Sequence, residues 1–327
     1  MHAQIALPGL FGAGAATRLP ALELLLARGR RARMTGGGFH AWVREAFELG
    51  EAPLAAGALT ILGCGGDAGD ACWVRADPVH LQLMRDRMLV VPPQAFELSR
   101  EEADAMCEAL NQHFAGTLEI AALQPRRWSA RLREDGAIEA REPLEMAGAQ
   151  VSIELPTRWH ALANEAQMVL HTHPANEARE ARGAFAVNSL WLWGAGRAPK
   201  GARCAWQTVA AEDPVVLGAA RLAGARAHAL PRTGAEWLER LPRDGRHLAV
   251  PEALRAPLAL GDADGLRAAL ESLERDWFAP LLAALRAGRV GMLTVHAPEG
   301  EQAMRCETIR GDLRRFWRLA KPVARYA

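Results

Sequence analysis

Lysine is almost missing from this sequence. Lys200 and Lys321 are the only two, and the remainder of the 39 basic side chains are arginine. With so much alanine and 30 glycines, the skew reads as a GC-rich coding bias rather than an RNA-binding adaptation. A formal net charge of +1 excludes a surface coated for phosphate backbones, so no nucleic-acid partner is expected. The five cysteines are odd in number and contain no C-x-x-C pair, which excludes a zinc knuckle or a disulfide framework and points to a reducing cytoplasm. Long apolar runs are missing too. Uncharged stretches such as residues 52–66 reach about 15 residues and are broken by Gly and Pro, short of the roughly 20 that cross a bilayer. No basic segment precedes the first apolar stretch. The expectation is a cytoplasmic protein with no removed leader and no membrane partner. Nucleophile and metalloprotease signatures are missing as well: there is no G-x-S-x-G and no H-E-x-x-H. Cys64, in Leu62-Gly-Cys-Gly-Gly66, has no sequence-evident histidine partner.

What is present suits one large or two medium domains with a sizeable core, since half of the 327 residues are hydrophobic. Residues 3–8 predict a strand, the Gly9–Gly14 turn follows, and Pro20 opens a helix ending at Arg28. That order points to an α/β layout. A helix is expected over 39–50, while 57–63 reads equally as a buried strand or a helix end. Short strands are expected at 72–76 and 88–91 around an Asp77-Pro78 turn. Ser99, with Glu102 three places on, predicts a capped helix over 100–113. A strand over 125–132 and a turn at Asp135-Gly136 complete what reads as a small inserted α+β lobe. Helices are then expected over 158–171, 175–182 and 209–222, a strand over 189–193, a long helix over 264–287 interrupted at Pro280, and a strand over 289–296. The tail, 312–326, is basic and aromatic.

Four constellations carry chemical potential. Gly9-x-x-Gly12-x-Gly14 lies between a strand and a helix, where N–H groups can cradle phosphate. It lacks both the dinucleotide register and a P-loop lysine, so a tight β-to-α turn is the stronger reading. His171-x-His173, with His160 upstream, places two imidazoles on opposite sides of a strand or roughly 200° apart on a helix, poor geometry for a shared metal. In the polar and aromatic stretch 171–199, Pro174 presets a helix start and Asn176, Arg179 and Arg182 share a face. That face could hold an anion, or be a solvated surface neutralised by Glu177 and Glu180. Trp191 and Trp193 read as one side of a core strand. Finally, Arg75, Asp77 and His80 surround the Asp77-Pro78 step and could bind a small acid, with an Asx-type turn as the alternative.

These residues carry a resemblance. His173-Pro174-x-Asn176-x-x-Arg179 through Gly183, Asn188-Ser-Leu-Trp-Leu-Trp-Gly194 and Gly196-x-x-Pro199 resemble a motif region of archaeal-type cofactor-independent phosphoglycerate mutases. Leu59-Thr-Ile-Leu-Gly63, residues 216–224 and Val295-His-Ala-Pro-Glu299 fall in the same order as in that family. Closer still is a bacterial family of regulatory proteins, RpfE type. It is similar around Arg75-Ala-Asp-Pro-Val-His80, Leu110-Asn111 with Phe114, Pro125-Arg-Arg-Trp128 and Asn164-Glu165-x-Gln-Met168.

The resemblance implies an α/β fold of the alkaline-phosphatase-like class. A mostly parallel sheet sandwiched by helices would be formed by residues 1–70 and 151–327, with a smaller α+β lobe over 71–150 inserted. It would also imply two divalent metal ions, Mn or Mg, and a Ser or Thr nucleophile that carries phosphate. The chain departs from that pattern. Residues 5–14 contain no Asp, residues 51–58 contain no Ser, Thr or Cys, and Glu299 and Ala303 stand where the family pattern carries Asp and His. The leading expectation is therefore a degenerate, non-catalytic member without cofactor, which binds a small phosphorylated or carboxylate ligand and acts in regulation. Arg75, Asp77 and His80 would face His173, Asn176 and Arg179, with Asn188 beside them. The alternative is an active metal-dependent mutase or phosphohydrolase with relocated ligands Glu299, His296 and Asp262. A further alternative is a protein partner held by the tail at Arg314-Arg-Phe-Trp317, a stretch that otherwise reads as a basic amphipathic helix packed on its own domain.

Overall fold

The computed structural model describes residues 1–12, 17–34, 36–84, 88–133, 138, 140–149, 157–300 and 303–326. The Gly14 end of the glycine-rich turn and the Asp135-Gly136 turn lie outside the described residues. Contacts divide the chain into residues 1–50 with 201–327, and residues 51–200. The boundaries thus differ from those expected, because residues 51–70 and 151–200 group with 71–150.

The first stretch holds β1 (His2–Ala6), α1 (Pro20–Arg28), β2 (Arg30–Arg33) and α2 (Gly38–Ala46). Residues 51–200 form α3 (Ala56–Gly63), β3 (Cys72–Leu83), β4 (Met88–Val91), α4 (Arg100–His113), β5 (Leu118–Gln124), β6 (Arg127–Leu132), α5 (Thr157–His171), α6 (Pro174–Ala181) and β7 (Ser189–Gly196). The chain then returns through β8 (Thr208–Ala211), α7 (Pro214–Leu222), β9 (Arg226–Ala229), α8 (Gly234–Arg240), β10 (Arg246–Val250), α9 (Arg255–Leu260), α10 (Ala263–Leu273), α11 (Ala279–Arg286), β11 (Met292–Ala297) and β12 (Met304–Ile309).

The unit built from both chain ends is a helix-flanked, seven-stranded sheet in the order β2-β12-β11-β1-β10-β8-β9. Its strands from β11 to β9 are parallel, and β12 and β2 are antiparallel additions at one edge. This is the mostly parallel α/β arrangement expected. Ala3, Ile5 and Leu7 alternate onto one face and join Leu293, Val295 and residues of α1, α10 and α11 in the core. Parallel strands buried on both faces usually read as continuous apolar runs. Here the other face of β1 and β11 carries His2, Gln4, Thr294 and His296 instead, so each of these needs a polar partner. The long helix expected over 264–287 is not cut at Pro280. A π turn at Glu274–Phe278 links α10 to α11, and this widened turn accommodates a residue that lacks an N–H and crowds the carbonyl four places back. The helix expected over 209–222 is instead a buried strand, β8, followed by α7, which Asp213 caps by accepting from Val215 N at 2.6 Å.

Residues 51–200 form an antiparallel sheet ordered β4-β3-β6-β5, with β7 paired to β3. One face packs on α4 and α5 through Val74, Ala76, Met106, Leu110, Trp128 and Leu170. Helix α3 covers the other face, and Gly57 lets it approach: a Cβ there would lie 2.6 Å from the backbone of Trp73 and Val74. The capping box at Ser99 and Glu102 starts α4 at Arg100 as predicted. The Asp77-Pro78 turn does not exist. β3 runs straight through it, pairing with β6 over residues 72–75, with β7 over 73–79 and with β4 over 80–83. Val79 O accepts from Asn188 N, one residue before β7, so the backbone of Pro78 faces the opposite edge, in the gap between β6 and β4. Its missing N–H therefore interrupts no ladder.

Candidate functional site

All seven residues expected to bind ligand lie within residues 51–200, and the structure places them in two internal networks. In the first, Arg75 Nη2 pairs with Asp77 Oδ1, Nε donates to Trp128 O at 3.2 Å and Nη1 donates to Thr60 Oγ1 at 3.2 Å. Trp193 Nε1 donates to Asp77 Oδ2 at 2.6 Å, and its ring lies 5.3 Å from the guanidinium. Arg75 and Asp77 are 4% and 2% exposed, so the pair neutralises itself inside the fold and offers no charge to a ligand. The second network locks the segment 185–188. Arg179 Nε donates to Phe185 O at 2.7 Å, His80 Nδ1 lies 2.9 Å from Ala186 O, and Asn176 donates to Val187 O and accepts from Val187 N, both at 2.8 Å. Asn188 accepts from Leu81 N and donates to Leu81 O. Arg179, fully buried, also pairs with Glu102 at 2.9 Å. His173 caps α6, accepting from Ala175 N at 3.2 Å. The anion-binding face expected on α6 is thus a loop clamp.

In open α/β sheets ligands bind beyond the carboxyl ends of the strands. At that edge of the parallel sheet, the turn after β1 aims its N–H groups at a side chain of the protein itself. Phe11 N donates to both oxygens of Glu299, at 3.0 and 2.8 Å, and Gly12 N donates to Oε2 at 3.1 Å. Gly9, at φ +91°, makes the bend, and a Cβ there would press on Leu254. Burial raises the Glu299 carboxyl above its ordinary range, against the opposing pull of the N–H bonds. Nearby, Glu252 pairs with Arg255 at 2.9 Å, and Arg255 sits 4.6 Å from the Phe39 ring.

On the polar face of the sheet, His296 Nε2 donates to Gln4 Oε1 at 2.9 Å, Gln4 Nε2 donates to His2 Nδ1 at 3.4 Å, and His2 Nε2 donates to Thr294 Oγ1 at 2.8 Å. These roles follow from the amide oxygen, which can only accept. His296 Nδ1, buried beside the Trp42 ring, has no partner among the described residues. Burial, with Arg305 and His2 adding positive charge, pushes His296 down to about 4.

These groups do not fit a pair of divalent ions. β1 ends without a carboxylate, Glu299 is held by backbone N–H groups, and His296 is bonded to Gln4. Asp262 caps α10 through Gly265 N at 2.9 Å. Among the described residues of either unit taken alone, no three His, Cys, Asp or Glu side chains converge as ligands. All five cysteines are free, and burial pushes Cys107 up to about 12 and Cys306 up to about 11.

A further cavity of about 860 Å³ opens within residues 51–200. Arg131, Arg133 and Arg197 line it, together with Asn111, Thr117 and Glu119. All three arginines are exposed, and Glu119 stands opposite Arg131 in the β5–β6 register. The signal of Arg131 and Arg133 in the sequence is an i, i+2 spacing at the end of β6, which puts both on one side of the strand.

Fold and edge together describe an α/β protein whose mostly parallel sheet ends in a cradle filled by its own carboxylate. No protein-family profile matches the sequence, and no curated protein matches it. Solved structures are similar. The PH0037 protein from Pyrococcus horikoshii shares 16% identity over 99% of this chain and 91% of that one, with a TM-score of 0.61. The cofactor-independent phosphoglycerate mutase from Thermoplasma acidophilum DSM 1728 aligns at 16% identity over 99% of this chain and 94% of that one, with a TM-score of 0.48. At this identity the likeness to PH0037 is one of fold.

Proposed function

We propose that this protein is a non-catalytic, phosphoglycerate-mutase-like protein that works by binding a small phosphorylated or carboxylate anion, in a regulatory role of the RpfE type. The mutase and RpfE relations rest on the motif resemblance in the sequence. The observation that carries the non-catalytic reading is Glu299. Its carboxylate takes the N–H groups of the turn after β1, at the sheet edge where α/β proteins carry out their chemistry. The binding role moves from the residues first expected to the cavity of Arg131, Arg133 and Arg197, where guanidinium groups can grip phosphate or carboxylate in bidentate fashion.

The test is calorimetric titration with inorganic phosphate and with 2- and 3-phosphoglycerate, on the wild type and on Arg131→Ala/Arg133→Ala. Binding with a dissociation constant at or below about 1 mM, weakened at least tenfold in the variant, is expected. Binding that the variant leaves untouched, or none at all, overturns the assignment. Phosphoglycerate turnover in the presence of Mn²⁺ overturns the non-catalytic reading.

A further inference from the structure

The basic tail is not the amphipathic helix that its composition allows. After a short 3-10 turn at Arg310–Arg314, it crosses the surface of its own unit with Phe316, Trp317 and Leu319 pointing outward. These three are 74%, 66% and 75% exposed. Phe316 and Trp317 stack edge to face at 5.3 Å, so the two rings form one apolar tip. Single exposed apolar residues are ordinary, but three large ones within four positions are not.

The display is held in place by built contacts. Arg315 Nη1 donates to Arg28 O at 2.9 Å, and Arg318 Nη1 donates to Gly29 O at 3.1 Å, so two arginines satisfy carbonyls at the end of α1. Arg28 Nη1 returns a bond to Leu313 O, and Arg315 also pairs with Asp312 at 2.7 Å. Beyond the tip, Lys321 N donates to Tyr326 Oη at 2.9 Å, Arg31 lies 5.0 Å from the Tyr326 ring, and Val323 is buried. The segment is thus pinned on both sides of the residues it exposes.

The surroundings are cationic. Residues 310–326 carry Arg310, Arg314, Arg315, Arg318, Lys321 and Arg325, and their one acid, Asp312, is buried against Arg315. Aromatic and leucine side chains ringed by arginine and lysine match the chemistry of a bilayer interface, where rings settle at headgroup depth and cations meet anionic lipid. A tip whose side chains are each two-thirds or more exposed is built to enter a soft medium rather than to lie flat on a rigid surface. From this charge complementarity and this pinned tip, we propose that residues 310–321 dock the protein peripherally on anionic membranes. No helix among the described residues is long and apolar enough to cross a membrane, so attachment is at the interface. The proposal revises the expectation of no membrane partner, which rested on the lack of spanning segments, and it is independent of the anion cavity.

The experiment is co-sedimentation of the whole protein with vesicles of phosphatidylcholine alone and of phosphatidylcholine with one-third phosphatidylserine. At least tenfold stronger partitioning to the anionic vesicles is expected. Phe316→Ala/Trp317→Ala should lower it at least tenfold, and Arg314→Glu/Lys321→Glu should do the same, with the circular dichroism melting curve unchanged because these side chains are exposed. Equal failure with both vesicle types overturns the proposal. So does binding to anionic vesicles that salt abolishes but Phe316→Ala/Trp317→Ala leaves intact, since that is charge attraction without insertion. If vesicles fail while poly-glutamate binds in a Trp317-dependent way, the surface belongs to an acidic protein and the membrane assignment falls.

Discussion

In residues 51–200, Arg75 gives its guanidinium to Asp77, Thr60 and Trp128 while Trp193 completes Asp77. On the sheet of the other unit, the line from Thr294 through His2 and Gln4 ends at His296, whose Nδ1 has no partner among the described residues. Both networks bury polar groups, and they differ in closure. A closed network in low dielectric fixes one arrangement. An open one leaves an imidazole kept neutral by burial and by the positive charge of Arg305 and His2. The polar residues that stand out in the sequence belong to the closed kind and build structure. The open kind lies on the sheet that a ligand would approach.

Breaking the closed network has the largest expected effect. Asp77→Ala leaves the Arg75 charge buried without its carboxylate and strips Trp193 of its acceptor. A loss of about 3–5 kcal/mol is expected from urea denaturation. Asp77→Asn keeps an acceptor for Trp193 and is expected to lose less. Equal stability of Asp77→Ala and wild type would show that the pair is not closed in solution.

The open network is expected to reveal itself through pH. His296 is lowered from 6.5 to about 4, so between those values the unfolded chain binds more protons than the folded one. Its contribution is complete above about pH 6.5 and is lost as pH falls toward 4, by up to about 3 kcal/mol. The stability difference between wild type and His296→Gln, followed from pH 7 to 4, should shrink by that order. A difference that stays flat would mean that His296 is solvated or charged in the fold.

Asn176→Ala sharpens the comparison on the closed side, since it orphans both the N–H and the C=O of Val187. About 1–3 kcal/mol is expected, with faster amide exchange at Val187. If exchange at Val187 is unchanged, Asn176 is not the clamp.

Legibility in the sequence followed the strength of local signals. The box at Ser99 and Glu102, Pro20 and Pro174 at helix starts, and the apolar face of α5 all express backbone chemistry within a few residues, and those elements formed where expected. The strands β2 (Arg-Arg-Ala-Arg) and β9 (Arg-Ala-His-Ala) carry no large apolar side chain, because they are short edge strands whose existence depends on neighbours far away in sequence. Asp77-Pro78 misled because the dipeptide favours turns locally, whereas the gap between β6 and β4 that tolerates it is a tertiary fact. The same holds for the site. Arg75, Asp77, Asn176 and Arg179 were conspicuous as chemical types, but only the fold reveals that their partners are Trp193 and the carbonyls of 185–187. Glu299 was visible as the residue standing where the resemblance places Asp, and its seat on Phe11 N and Gly12 N required a register spanning nearly the whole chain.

The smallest expected effect probes that seat. Burial raises the Glu299 carboxyl above its ordinary value, so in the intervening pH range the folded protein holds the proton more often than the unfolded chain. Stability from this group is therefore greatest at acid pH and declines as pH rises from the ordinary carboxylate value through the raised one, the opposite slope to His296. Glu299→Gln removes the titration while keeping one oxygen to accept from Phe11 N. Its stability relative to wild type should rise with pH over that range, with a difference within about 1 kcal/mol at neutral pH. A relative stability that instead falls with pH would mean that the N–H bonds outweigh burial and hold the carboxylate ionised. The turn after β1 would then be a strong anion cradle that Glu299 fills, and Glu299→Ala, which empties it, would be the variant to titrate with phosphate.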